Sequence, residues 1–345
     1  MNFLSDNTAG AAPEILAALT RVNDGVQLSY GGDQVTARLT AKLSSLFEKE
    51  VAVYPVATGS AANSLALATL TPHYGAIFCH QGAHINVDEC GGPEFFSGGA
   101  KLVPLPGVHG KITPEVITSA LGHFQRGFVH HVQPATISLT QATELGTCYT
   151  PHEVQAIAHV AKAEALALHM DGARFANALA FLKCTPAEIT WKAGVDALSF
   201  GITKNGALAG EAVIFFDPKR AGDFVYRRKR SGHLFSKMRF VSAQFEAMLD
   251  DGLWLRLAER ANAAAQRLAR SLSALPAFTI EHPVEANGVF VRLPSMSVMK
   301  SMQAAGATFY QWEPGDDRPL IRLVCSWSTT DAETDQFVAT AKRAA

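Results

Sequence analysis

The feature that most restricts this chain is a repeated alternation of short apolar runs with longer stretches of helical spacing. Residues 51–56, 76–80, 128–132, 165–170, 197–201 and 212–216 are runs of strand length, and 61–70, 151–164 and 185–193 carry helical patterns between them. Strands joined through helices come to lie side by side in one direction, because a crossover returns the chain to the same end of the sheet. An α/β fold with a mostly parallel central sheet follows. After residue 250 the order changes: 253–275 is one long Ala/Leu/Arg helix, with Leu253, Leu257, Leu268 and Leu272 among its apolar positions. Strands are expected at 278–281, 289–293 and 320–325, with helices at 297–305 and 332–342. The chain is thus divided into an N-terminal segment (1–15) packing with the small domain, a large ligand-binding domain (16–249) and a smaller α+β C-terminal domain (250–345).

A chain of 345 residues that is 48% apolar and 18% charged has the material for a large core. Its formal charge of −1 gives no pull toward nucleic acid or anionic lipid. The basic run Arg227-Arg228-Lys229-Arg230 reads as a solvated helix face rather than a nucleic-acid patch. Five scattered cysteines suit free thiols in a reducing compartment better than a disulfide framework. The opening MNFLSDNTAGAAPE lacks a basic region followed by an apolar stretch, and apolar runs elsewhere stop short of the roughly 18 residues a membrane span needs. A soluble, cytoplasmic protein without nucleic-acid or membrane partners is expected.

Two of the apolar runs lead into chemically distinctive residues. Asp171 opens Asp171-Gly172-Ala173-Arg174 directly after 165–170 and would stand at the carboxyl end of a strand, where open α/β sheets bind ligands. A buried carboxylate there needs a cationic partner, such as a protonated pyridine nitrogen. A helix cap or a pair with Arg174 is the equally simple alternative. Lys204 follows 197–201, one strand–helix–strand repeat later, which brings both groups to one sheet edge. A desolvated lysine beside cationic groups sheds its proton and can form a Schiff base with an aldehyde. An isolated lysine is more often a solvated surface group, and it is the offset from Asp171 that favours chemistry.

Thr58-Gly59-Ser60 lies where a strand meets an Ala-rich helix. Free N–H groups, two hydroxyls and the positive helix end would hold a phosphate there, unless Thr58 is merely a cap. His84 offers a ring that can stack on a pyridine and move protons near neutrality. With His80 it has the i, i+4 spacing of a metal pair. Gly82 between them opposes a helix, however, and no Glu follows His80, so no metal site is expected. Arg322, alone in Leu320-Ile321-Arg322-Leu323-Val324, is either a fork for an amino acid's carboxylate or a structural charge.

Taken with Phe3-Leu4-Ser5-Asp6-Asn7, Tyr30-Gly31-Gly32-Asp33 and Glu89 five residues after His84, these segments occur in an order that resembles the low-specificity L-threonine aldolase family almost end to end. That family comprises pyridoxal 5′-phosphate enzymes of the aspartate-aminotransferase-like fold type I, with a large transferase-like domain. The resemblance implies a carbon–carbon lyase that reversibly cleaves L-3-hydroxy amino acids (threonine, allo-threonine, phenylserine-like) to glycine and an aldehyde. Another lyase of this fold performing β-elimination, or an aminotransferase, is the alternative.

The resemblance also implies individual roles. Lys204 would bond the cofactor, Asp171 its pyridine nitrogen, and Thr58, Gly59 and Ser60 its phosphate. Arg174 would reach the ring oxygen and the substrate carboxylate, and Ser5 and Arg322 would bind that carboxylate. His84 would stack on the ring, and it is the expected base. A homotetramer of dimers with shared sites is implied, in which Tyr30 and Arg230 would serve the neighbour. Two positions depart from the family pattern. Thr143 stands where a second histidine follows Ser-Leu-Glu-Asn-Thr, so Gln141 is expected to take the polar contact to the ring oxygen; and Gln34 replaces a proline common after the Tyr-Gly-x-Asp turn.

Overall fold

Among the residues described by the computed structural model (1–313, 315 and 317–345), seven strands build the main sheet. They are β1 Ala52–Val56, β2 Gly75–His80, β3 Lys101–Leu105, β4 Gln133–Thr140, β5 Ala167–Gly172, β6 Ala197–Gly201 and β7 Glu211–Phe215. Their spatial order is β1-β7-β6-β5-β4-β2-β3. From β3 to β6 every pairing is parallel, and β7 alone runs against both of its neighbours. β2, β5, β6 and β7 are buried along their whole length, as expected of strands covered on both faces. The α/β expectation with a mostly parallel sheet is met.

A second sheet is antiparallel, with the order β10-β11-β9-β8 for β8 Thr279–Ile280, β9 Gly288–Arg292, β10 Tyr310–Gln311 and β11 Leu320–Val324. It has its own apolar core, which Phe3 joins by packing edge-on against Phe337 at 5.0 Å. The Phe3 N–H donates to the Thr308 carbonyl, tying the N-terminal segment to this sheet. The helix Leu253–Ser273 is shared between the two cores. Leu253, Trp254, Leu257 and Ala258 pack with the large sheet's core, and Ala264, Ala265, Leu268, Ala269 and Leu272 with the small one's.

Two local expectations are corrected and one strand is added. Residues 128–132 do not form a strand: Phe128 is 40% and Val129 90% exposed, and the strand is β4, beginning at Gln133. Composition made the first run attractive, but burial in the sheet went to Thr136, Ile137 and Leu139 instead. The helix expected over 185–193 is broken at Thr190, whose φ of −112° and ψ of −108° separate Pro186–Ile189 from the single turn Trp191–Ala193. β3 is not among the expected strands, and it contains Pro104. As the last strand in the order it lies at an edge, where a missing N–H is tolerated. Gln34, at the proline position, opens the helix Gln34–Leu46, and the Asp33 carboxylate caps it by accepting from the Thr36 N–H at 2.8 Å.

Candidate active site

Asp171 lies next to the last residue of β5, opposite Ser199 of β6, and Lys204 follows β6 in the turn Thr203–Asn205. Because β5 and β6 are parallel neighbours, both side chains leave the sheet at its carboxyl edge. They line one cavity of about 350 Å³, within the range of small-molecule sites, together with Thr58, Gly59, Ser60, His84 and Arg174. Burial, reinforced by the charge of Arg174, lowers the proton affinity of Lys204, although Asp6, Asp171 and Glu211 partly restore it. An amine in this setting is available as a nucleophile at lower pH than a solvated lysine.

The Asp171 carboxylate is buried, accepting from the Asn63 amide at 2.7 Å and from the Ala173 N–H at 2.9 Å. Both donors are neutral, and among the described residues Asp171 has no ion-pair partner. A buried carboxylate so placed fits a cationic ring nitrogen. Asn63 also donates to Glu89 at 2.9 Å, and Glu89 in turn holds Nδ1 of His84 at 2.8 Å. The Glu89 bond raises the proton affinity of His84 against the opposing effect of burial, and burial pushes the Glu89 carboxyl up, so the pair retains a proton. Asn63 was the signal missed: the one amide in the Ala- and Leu-rich helix Gly59–Leu70.

Thr58 caps that helix, its hydroxyl accepting from the Ala61 N–H. The first helical N–H groups, on Gly59 and Ser60, have no carbonyl one turn back and face the cavity. A Cβ on Gly59 would meet only Oε2 of Glu211, at 3.9 Å, so the cradle is open. Glu211 was not anticipated, though a carboxylate opening an apolar strand is an anomaly legible in sequence. Burial pushes it up to about 7, against the bond it accepts from Thr203 and the charge of Lys204. In its neutral form it is compatible with a phosphate beside it.

A second cavity opens from the first, sharing His84, Glu144, Arg174 and Lys204 and adding Ser5 and Arg322. Arg174 is gripped by Asp6 at 2.7 and 3.0 Å in a fork geometry. Burial alone would push the Asp6 carboxyl up; Arg174 and Lys204 overcome it and hold Asp6 below the usual carboxylate range. Arg322 rests its guanidinium over the rings of Tyr310 (4.9 Å) and Trp312 (5.1 Å), and its buried Nε has no partner among the described residues. Asp6 already pairs with Arg174, whereas Arg322 has no ion-pair partner among the described residues, so its fork is open to a carboxylate-bearing ligand.

Other expected residues lie elsewhere. Gln141 does not face the cavity: its amide donates to the Tyr149 carbonyl at 2.7 Å and accepts from the Tyr149 N–H at 2.9 Å, which uses both of its functions on backbone. The expected contact from Gln141 to a ring oxygen is therefore corrected. The Thr143 hydroxyl pairs with Thr147 at 2.8 Å, and it is Glu144, one position on, that reaches the site. Tyr30 and Arg230 are exposed and do not line the cavity of their own chain, while Lys229 stacks over the Tyr30 ring at 4.8 Å. The nitrogens of His80 are bonded to the Gly107 carbonyl and the Gly82 N–H, so it does not pair with His84.

Fold and site together define an α/β enzyme with a lysine nucleophile at a sheet edge, facing an anion cradle. A profile of the β-eliminating lyase family matches residues 2–295. A low-specificity L-threonine aldolase of a Pseudomonas strain is 45% identical over 98% of this chain and 96% of its own length. Another, from Pseudomonas aeruginosa, is 46% identical over 95% and 93%. The solved structure of Leishmania major threonine aldolase superposes with a TM-score of 0.93 at 29% identity, covering 100% of this chain and 99% of that one. The chain belongs to the β-eliminating lyase family and, within it, to the low-specificity L-threonine aldolases.

Proposed function

We propose that this protein is a pyridoxal 5′-phosphate enzyme, a carbon–carbon lyase that reversibly cleaves L-3-hydroxy amino acids, L-threonine and L-allo-threonine among them, to glycine and an aldehyde. The reading is carried by the amine of Lys204 and the unpaired acid of Asp171 lining one cavity, with an anion cradle on one side and two arginines on the other. When bound, the cofactor supplies an aldehyde for the amine and an electron sink for the breaking carbon–carbon bond. Asp171 keeps a proton on the ring nitrogen, and Thr58, Gly59 and Ser60 hold the phosphate. Arg174, Arg322 and Ser5 take the substrate carboxylate and so fix which bond of the amino acid is presented for cleavage, an orientation that can lower a barrier by several kcal/mol.

The large unit, 16–249, carries the cofactor groups, 250–345 carries Arg322, and 1–15 brings Ser5 and Asp6 between them. A homotetramer of dimers is the assembly we favour. It is supported by the exposure of Tyr30 and Arg230 away from their own chain's cavity, which leaves both available to a neighbour's site. Among the described residues no helix is long and apolar enough to cross a membrane. Five free cysteines support a reducing, cytoplasmic location.

Incubation of the cofactor-loaded protein with L-threonine, L-allo-threonine and L-phenylserine is expected to give glycine and the matching aldehyde in equal amounts. Ammonia and a keto acid in their place would mean elimination and overturn the reading. Glu211 makes a further expectation. As pH rises through about 7 its carboxyl ionises beside the cradle and repels the phosphate. Between pH 7 and 9 the wild-type affinity for pyridoxal 5′-phosphate should therefore fall relative to Glu211→Gln, on the order of tenfold, by direct titration of each protein. Parallel pH curves for the two proteins would remove Glu211 from that role.

A further inference from the structure

Glu144 follows β4 and lines both connected cavities, yet neither the cofactor groups nor the carboxylate site uses it. One carboxylate oxygen is fixed: Oε1 accepts from the His84 N–H at 2.8 Å and from the Thr140 hydroxyl at 2.8 Å. The other, Oε2, is buried and has no hydrogen-bond partner among the described residues. A buried acceptor left bare costs about 1–3 kcal/mol, more when charged, and a fold that keeps one in its active cavity has a use for it when substrate is present. Facing Glu144 are His84 from its short helix, Asp171 and Arg174 from the end of β5, Arg322 from β11, and Cys79 and Tyr149 behind; Lys204 lies across the same cavity.

We propose that Glu144, acting through Oε2, is the base that removes the β-hydroxyl proton of the substrate, an assignment that rests on the aldolase reading above. The O–H bond breaks and its proton moves to Oε2, while the electron pair left on oxygen forms the second C–O bond of the departing aldehyde. The Cα–Cβ bond breaks and its pair stays with Cα. A proton then reaches Cα to complete glycine, and Glu144 loses the one it took, so no proton is consumed overall. Burial pushes the Glu144 carboxyl up, against the bonds it accepts at Oε1, which makes it a stronger base than a solvated carboxylate. His84, the base expected from sequence, is held proton-rich by Glu89 and suits stabilising the oxygen rather than stripping it.

The test uses holoenzyme carrying Glu144→Gln, which keeps the acceptor at Oε1 and removes the base. Cleavage of L-threonine should fall about 100-fold or more in kcat with KM little changed. The acid limb of the pH profile of kcat/KM, present in the wild type, should vanish, and the change in cofactor absorbance on adding glycine should persist. Retention of cleavage within threefold, or of the acid limb, overturns the assignment. So does an equal loss of glycine binding and cleavage, since Glu144 would then serve binding alone. If Glu144→Gln does not fold, Glu144→Asp must show a displaced acid limb, and an unmoved limb overturns the assignment. Wild-type protein that makes no glycine from any 3-hydroxy amino acid would instead sink the aldolase reading itself.

Discussion

Replacing Lys204 by alanine is expected to abolish glycine production, with a loss on the order of 10⁴-fold or more. The amine sits buried just past β6, and its proton is loosened by burial and by Arg174. Among the described residues no other lysine lines either of the two connected cavities, so none is placed to take over the covalent role proposed for it. The fold should survive, because what is removed is an amine with no hydrogen-bond partner among the described residues rather than a packed apolar group. Far-ultraviolet circular dichroism of the variant should overlay the wild type while the assay for glycine and aldehyde reads near zero. Near-normal glycine from Lys204→Ala would end the assignment.

Asp6→Ala is expected to cost about 3–5 kcal/mol of stability, because it leaves the guanidinium of Arg174 buried without its counter-charge. The Asp6 side chain is wholly buried and that of Arg174 is 18% exposed, so solvent screens the pair little. Asn287 also donates to the same carboxylate, at 3.0 Å, and would lose its acceptor. The effect is read as a lowered midpoint in urea. The pair carries a pH signature. The folded pKa of Asp6 lies below its ordinary value of 3.8, so its contribution is complete above that value and is lost as pH falls through the lower, folded one. Asp6→Asn should lack that acid-side loss while keeping most of the side chain's shape. A change below about 1 kcal/mol in Asp6→Ala would show that Arg174 finds water or another acceptor.

These two residues differ in how far sequence exposes them. Lys204 and Asp171 could be found because each comes directly after an apolar run, and a run has a length and an end. Thr58-Gly59-Ser60 was legible for the same reason, at the junction of strand and helix. Asp6 stood in a recognisable segment, but its grip on Arg174 spans most of the large unit and leaves no local period. Gln141 and Glu144 show the same limit over four residues: which of them turns inward is decided by Tyr149, whose backbone claims the glutamine. β8 and β10 are two residues long, too short to set up any alternation, and they exist because β9 and β11 offer them edges.

The helix Leu253–Ser273 is 21 residues long, about 30 Å, and it is embedded at one end in each core. It acts as a strut, since bending it or withdrawing either half would break backbone bonds or wet a row of leucines. Arg322 rides on one anchorage and Lys204 on the other. The gap between them is thereby gauged like the jaws of a caliper: on the proposed roles of these two residues, the amino-acid end of a substrate would be measured against this span, while whatever hangs from its β-carbon would not.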